Sequence, residues 1–180
     1  YLILIALWSF VLYFITRRKW FDKTKQLSVA LRESEEKFGG FFENNPVSCW
    51  LEDFSGVKKY FDDLREKGVL EIETYFNEHP EEISRCADLI KIKDVNQATL
   101  ALHNSKDKEE LYQGLEKTFT AESYETFKKE MIDIWHGKTQ SSYDSVVQTL
   151  DRELRYVTVS YRIAPGSEES MANVLVTIID

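Results

Sequence analysis

The sequence predicts an α+β fold: an antiparallel five-stranded sheet with helices on one face, preceded by a transmembrane helix and a coiled-coil-like connector helix. Three observations predict it. The first sixteen of the 180 residues carry no charge, and Arg17-Arg18-Lys19 closes them. A heptad-like spacing runs from Trp20 to Phe38. Beyond Gly137 the apolar period drops to two over three successive segments, as in strands joined by turns.

YLILIALWSFVLYFIT is apolar on every face, unlike the surface helix of a soluble protein. A span needs about 20 residues, so residues 1–19 are expected to be a truncated transmembrane helix with its basic flank. A signal peptide carries its charges before the apolar run, whereas here they follow it. The positive-inside rule turns the basic end toward the cytoplasm, with Tyr13 and Trp20 at the interface. These features place the chain in the inner (cell) membrane, held through residues 1–20, with its folded domain cytoplasmic. A buried core helix is the alternative, a poorer fit to a basic triplet at the helix end.

Residues 20–40 read as the connector. Trp20, Thr24, Leu27, Leu31, Ser34 and Phe38 alternate steps of four and three, on one seam. Charged residues lie outside it, with Glu33 and Lys37 as an i,i+4 pair. So short a seam is marginal alone, which favours a homodimer helix over a solvated spacer, since anchoring raises local concentration. Gly39-Gly40 is expected to end it.

Residues 41–180 hold the folded domain, enough chain for a core of its own. Asn44-Asn45-Pro46 is a loop signal, and PVSCWLED alternates as a strand. A helical insert is expected at about 53–89. Its first helix, started by Asp53 or Ser55, carries Val57, Tyr60, Phe61 and Leu64 and closes at Gly68. Its second starts at His79-Pro80-Glu81-Glu82 and buries Ile83, Cys86, Ala87 and Ile90. Ile90 and Ile92 read as a short strand. Asp107 with Glu110 offers a capping box for the helix of Leu111 and Leu115. Thr120 caps the longest helix, with Tyr124, Phe127, Met131, Ile134 and Trp135 on one stripe and Gly137 as its stop. SYDSVVQTL, LRYVTVSYRIA and MANVLVTII are three strands joined by Asp151-Arg152 and Pro165-Gly166-Ser167, an antiparallel meander.

The net charge of −8 argues against nucleic acid as a partner, since phosphate recognition needs a basic face. Cys49 and Cys86 form no C-x-x-C and read as reduced, partly buried thiols.

SEEKFGGFFENNPV (34–47), DVNQATLAL (94–102), SKDKEELYQGL (105–115) and the closing VTIID, in that order, resemble the PAS sensor family. The resemblance covers roughly Ser34 to Asp180. It implies a PAS-like sheet behind a signalling helix, in a bacterial sensor histidine kinase or a diguanylate cyclase. Asp180 matches the first residue of the family's D-x-T signal-transfer motif. The insert departs from a simple PAS domain and resembles a subtype of bacterial sensors; it reads as a cap over the ligand side or as added packing.

No catalytic motif is present. Gly39-Gly40 lacks the company of a phosphate loop, and His79-Pro80-Glu81 is not a kinase phosphoacceptor box. His79, His103 and His136 share no metal-ligand spacing, which argues against haem; neither cysteine lies in the motif of a flavin photoreceptor. Trp50, Tyr60, Tyr112, Phe127 and Trp135, with Phe61 and Tyr75, could line a small-molecule cavity or simply fill the core. Leu27, Leu31, Phe38 and Asp180 are the signal-transfer candidates. The function expected is a regulatory module passing a ligand or redox signal to an output domain beyond Asp180. The alternative is a ligand-free dimerisation relay. Leu175 and Ile179, on the outward face of the last strand, are expected to lie against the helix around Phe38 or its dimer mate.

Overall fold

The computed structural model describes the backbone of residues 2–180 and the side chains of residues 17, 18, 20 and 23–180. The chain divides into two compact units, Tyr1–Phe42 and Glu43–Asp180. The first is a single helix, α1 (Leu2–Glu43), whose last residue belongs to the second unit. The side chains of the apolar run lie outside the described residues, and the expected membrane span with them. Among the described residues, no helix is long and apolar enough to cross a membrane.

The glycine pair does not end α1, which continues through Gly39 and Gly40 to Glu43. Glycine lowers helix stability by only about 1 kcal/mol and leaves the hydrogen-bond ladder intact. The actual stop is Asn45-Pro46: Pro46 has no N–H to donate, and Asn45 Oδ1 accepts from the Val47 N–H at 2.9 Å.

The second unit runs β1 (Ser48–Asp53), α2 (Ser55–Glu66), α3 (Ile72–Glu78), α4 (Glu81–Leu89), β2 (Lys91–Val95), α5 (Gln97–Leu102), α6 (Lys108–Gly114), a 3-10 turn (Leu115–Thr118), α7 (Ala121–Trp135), β3 (Gln140–Gln148), β4 (Leu154–Ile163) and β5 (Val174–Ile179). The strands form one antiparallel sheet in the order β2-β1-β5-β4-β3. The expected meander supplies β3 to β5, and β1 inserts between β2 and β5, with Ser48 opposite Ile178 and Glu52 opposite Val174. Period two sorts β5 onto two faces as expected, with Val174 and Ile178 buried; Leu175 and Ile179, expected to be covered by a helix, are exposed.

Two cores lie under the helices. In the larger, α2 contributes Val57, Tyr60, Phe61 and Leu64, the four residues its spacing predicts. They meet Ile72 and Phe76 of α3, Ile83 and Cys86 of α4, Met131, Ile134 and Trp135 of α7, and Tyr161, Ile163 and Val174 of the sheet. The smaller joins Trp50, Val95, Leu100, Leu111, Val147, Val157 and Ile178. Burying each large side chain stabilises by about 1.5–3 kcal/mol. The insert is therefore part of the main core.

Several local expectations need correction. The insert holds three helices, because α3 is too short for a stripe and shows only Ile72 and Phe76. Asp53 Oδ1 accepts from Ser55 N at 2.8 Å, but Phe54 is the residue that begins α2 and its side chain caps nothing. At α6, Asp107 Oδ1 accepts from Glu110 N at 2.8 Å, while the Glu110 carboxylate turns back to Lys106 N and leaves the box open. The complete box belongs to α7, where Thr120 and Ser123 exchange bonds of 3.1 and 2.7 Å. Tyr124 lies on the surface against Phe119 rather than in the apolar stripe. In its place α7 buries a polar stripe, Ser123, Thr126, Glu130 and Asp133.

Candidate functional site

The helix continuing past Gly40 lengthens the predicted seam. Trp20, Thr24, Leu27, Leu31, Ser34 and Phe38 are followed, one step of three later, by Phe41. The stretch from Trp20 to Phe41 is about 30 Å long at 1.5 Å per residue. Leu27, Leu31, Phe38 and Phe41 are 69, 60, 60 and 78% exposed. Apolar side chains repeating on one helix face and left in water are what a coiled-coil partner covers. Off the seam, Arg32 and Glu36 pair at 2.8 Å; Phe38, on it, stacks on Phe42 with ring centroids 6.2 Å apart.

The second unit fixes its entry segment through one side chain that sequence reasoning did not single out. Asn96 caps α5 and is completely buried. Its Oδ1 accepts from Cys49 N at 3.0 Å and Thr99 N at 3.1 Å. Its Nδ2 donates to Val47 O at 2.9 Å and Asn45 O at 3.2 Å. A single amide thus ties the chain leaving α1 to β1 and to α5. The signal was present in sequence, since Asn before an apolar QATLAL run is a cap pattern. Beside it, Lys108 Nζ reaches Glu43 Oε1 at 2.7 Å and Asp94 Oδ1 at 2.6 Å. Burial alone would lower the Lys108 pKa; its bonds to Asp94 and Glu43 outweigh that and hold it above the usual lysine value. Residues 43–47 are accordingly held by one neutral and one ionic clamp.

The other candidate residues are spread through the fold. Tyr60 and Trp135 are buried in the larger core, with Phe127 packed against it. Trp50 belongs to the smaller core, and Tyr112 is exposed on α6. Tyr60 OH donates to Glu82 at 2.6 Å, and Arg85 stacks over its ring, fastening α2 to α4. Arg65 lies 4.2 Å above the Trp135 ring and donates to Trp135 O at 2.7 Å, satisfying a carbonyl at the end of α7. At the far end, the Asp180 carboxylate faces Arg155 at 3.5 Å, and Leu175, Ile179 and Tyr156 stay exposed on the sheet's outer face.

The histidines are separated in space as in sequence. His79 is exposed beside Glu81, and His136 ends α7. His103 is buried edge-on against Trp50, and burial holds its pKa below the usual value. Among the described residues, no group of three His, Cys, Asp or Glu is placed to hold a metal ion.

No family model and no curated protein matches this chain. Solved structures do. The PAS domain of a protein from Colwellia psychrerythraea is 11% identical with a TM-score of 0.52, over 81% of this chain and 95% of that one. The PAS domain of an HTR-like protein from Haloarcula marismortui is 14% identical with a TM-score of 0.50, over 87% and 98%. At this identity the likeness is one of fold, and the fold is that of a PAS domain.

Proposed function

We propose that this PAS-fold chain is the membrane-proximal sensory module of a signal-transduction protein, dimeric through α1. Residues 1–20 hold it in the membrane, the domain lies on the cytoplasmic side, and the signal passes to an output domain of histidine-kinase type beyond Asp180. The observation that carries this reading is the exposed seam from Trp20 to Phe41, on a helix unbroken up to the clamped entry of the domain. A helix pair with its far end in Asn96 and Lys108 can pass a change in pitch or rotation to β1, β2 and α5.

Disulfide cross-linking of the full chain in membranes tests the dimer. Leu31→Cys and Phe41→Cys should cross-link between copies, while Val29→Cys, on the opposite face, should not. Equal yields at all three positions would overturn the seam. For orientation, a membrane-impermeant thiol reagent applied to intact cells should fail to label Leu70→Cys, an exposed position of the insert. Efficient labelling there would reverse the topology.

One observation favours a second reading, a ligand-free dimerisation relay to a diguanylate cyclase or other output. Trp50, Tyr60 and Trp135 are packed into the cores. Native mass spectrometry of the purified chain separates the two: a small molecule retained at stoichiometric amount supports a ligand sensor, and an empty domain supports the relay.

A further inference from the structure

The polar stripe of α7 has three carboxylates in or near it and too few partners for them. Asp133 is satisfied, accepting from Tyr143 OH at 2.6 Å and pairing with Lys138 Nζ at 2.7 Å. Glu130 is not. It is 7% exposed, and its Oε1 is sealed from solvent without a hydrogen-bond partner. No cation lies within ion-pairing distance of Glu130 or Glu52 among the described residues. On β3, which packs against α7, Ser145 Oγ is likewise buried and unpartnered.

The ionisable groups that Glu130 faces make its anion costly. Glu52 reaches it from β1, on the inner face of the sheet opposite Val174, and Asp133 from its own helix. From β3 and β4 come the phenols of Tyr143 and Tyr161, both of which feel its charge. Lys138 is engaged with Asp133. On α2, α3 and α4, Tyr60, Tyr75 and Glu82 are bonded among themselves, and none of them is among the charges that act on Glu130. An unpaired buried carboxylate beside two other acids is among the least favourable arrangements a core can hold, and taking up a proton relieves it.

We propose that Glu130 is a proton-binding site inside the domain. The neutral acid is the form that fits between α7 and the sheet, and releasing its proton to water leaves an anion that loosens the packing of α7 on β3. Burial first, then the charges of Glu52 and Asp133, push Glu130 up to about 8, and burial pushes Glu52 up to about 7. Because the two interact, their protons are released as those of a pair rather than of separate groups. As a signal this rests on the sensory reading above; as a binding site it does not, because the titration is read without any output domain.

The folded state holds the Glu130 proton more tightly than the unfolded chain, whose carboxyl titrates near 4.5. Its stabilisation is complete below that value and is lost as the pH rises through about 8. Asp133 acts oppositely: burial alone would raise it, Lys138 and Tyr143 overcome this and hold it low, and its contribution is lost only in acid.

The test uses the full chain in lipid nanodiscs, with carboxyl protonation followed by infrared spectroscopy and stability by thermal unfolding. The wild type should show a protonated carboxylic acid at neutral pH that Glu130→Gln lacks. Its unfolding midpoint should fall between about pH 4.5 and pH 8, and the fall should flatten in Glu130→Gln. Should that variant not fold, Glu52→Gln carries the test, because removing the neighbouring charge must move the acid's titration to lower pH. No protonated acid at neutral pH, equal pH slopes in wild type and Glu130→Gln, or an unmoved titration in Glu52→Gln each overturns the proposal.

Discussion

Phe76→Ala is expected to destabilise the domain by about 3–5 kcal/mol, the cost of an unfilled cavity at a large aromatic site. Phe76 is fully buried between the insert and the rest of the fold, with the Phe61 ring centroid 6.4 Å away. Phe61 in turn meets Trp135 of α7 edge-on at 5.4 Å. The void would open in the larger core, where insert, α7 and sheet meet, so the whole unit should feel it. Urea unfolding of the full chain, followed by tryptophan fluorescence, would show the midpoint moving with its slope unchanged. Leu70→Ala is the control: Leu70 is on the same insert but exposed, and its loss should stay within about 0.5 kcal/mol. A separately folded lid behaves differently. Limited proteolysis of Phe76→Ala would then clip residues 53–89 while the sheet kept its full stability, and that result would rule out a shared core.

The contrast between Phe76 and its neighbours shows where sequence reasoning reaches and where it stops. The buried face of α2 is legible because Val57, Tyr60, Phe61 and Leu64 repeat with the helical period over two turns. The strands β3, β4 and β5 are legible because period two continues through Val, Tyr, Thr and Ile. In α3 only Ile72 and Phe76 are buried, and two positions four apart make no pattern. The polar stripe of α7 is hidden for another reason: Ser, Thr, Glu and Asp at helical spacing look like a solvated face until a sheet is laid over them. The end of α1 misleads because glycine permits helix termination without requiring it, whereas Pro46 requires it. The seam itself is plain in the spacing, yet its extension to Phe41 depends on that one boundary. As for the site, the aromatic residues are identifiable as large and apolar, but whether they line a space or fill it depends on long-range pairing of β1 with β5, which no local pattern encodes.

Asn96→Ala should be the most damaging polar substitution, lowering stability by about 3 kcal/mol or more. Truncation removes the α5 cap, worth about 1 kcal/mol. It also strands the buried Cys49 N, at about 1–3 kcal/mol for a buried group left unsatisfied, and removes the bonds to the partly buried Val47 O and Asn45 O. The damage should begin locally. Hydrogen exchange of the full chain should show residues 45–50 losing protection before the core of α2 and α7 does, because the bonds to Asn45, Val47 and Cys49 converge on that segment. Asn96→Asp separates the two halves of the amide. The carboxylate keeps the acceptor for Cys49 N and the cap for α5, but it replaces a donor with a negative charge facing two carbonyls. Repulsion by those carbonyls raises the new acid's folded-state pKa, so the variant's deficit should shrink as the pH falls and a protonated oxygen again donates to Val47 O. No deficit at any pH would mean that the acceptor half alone matters. In the cross-linking assay, Asn96→Ala should leave the Leu31→Cys disulfide intact, since the seam lies wholly on α1. On the proposed reading, the dimer persists while the grip that couples the helix to the sheet is lost. If Asn96→Ala unfolds no earlier at residues 45–50 than elsewhere, the amide is one core contact among many and the coupling role fails.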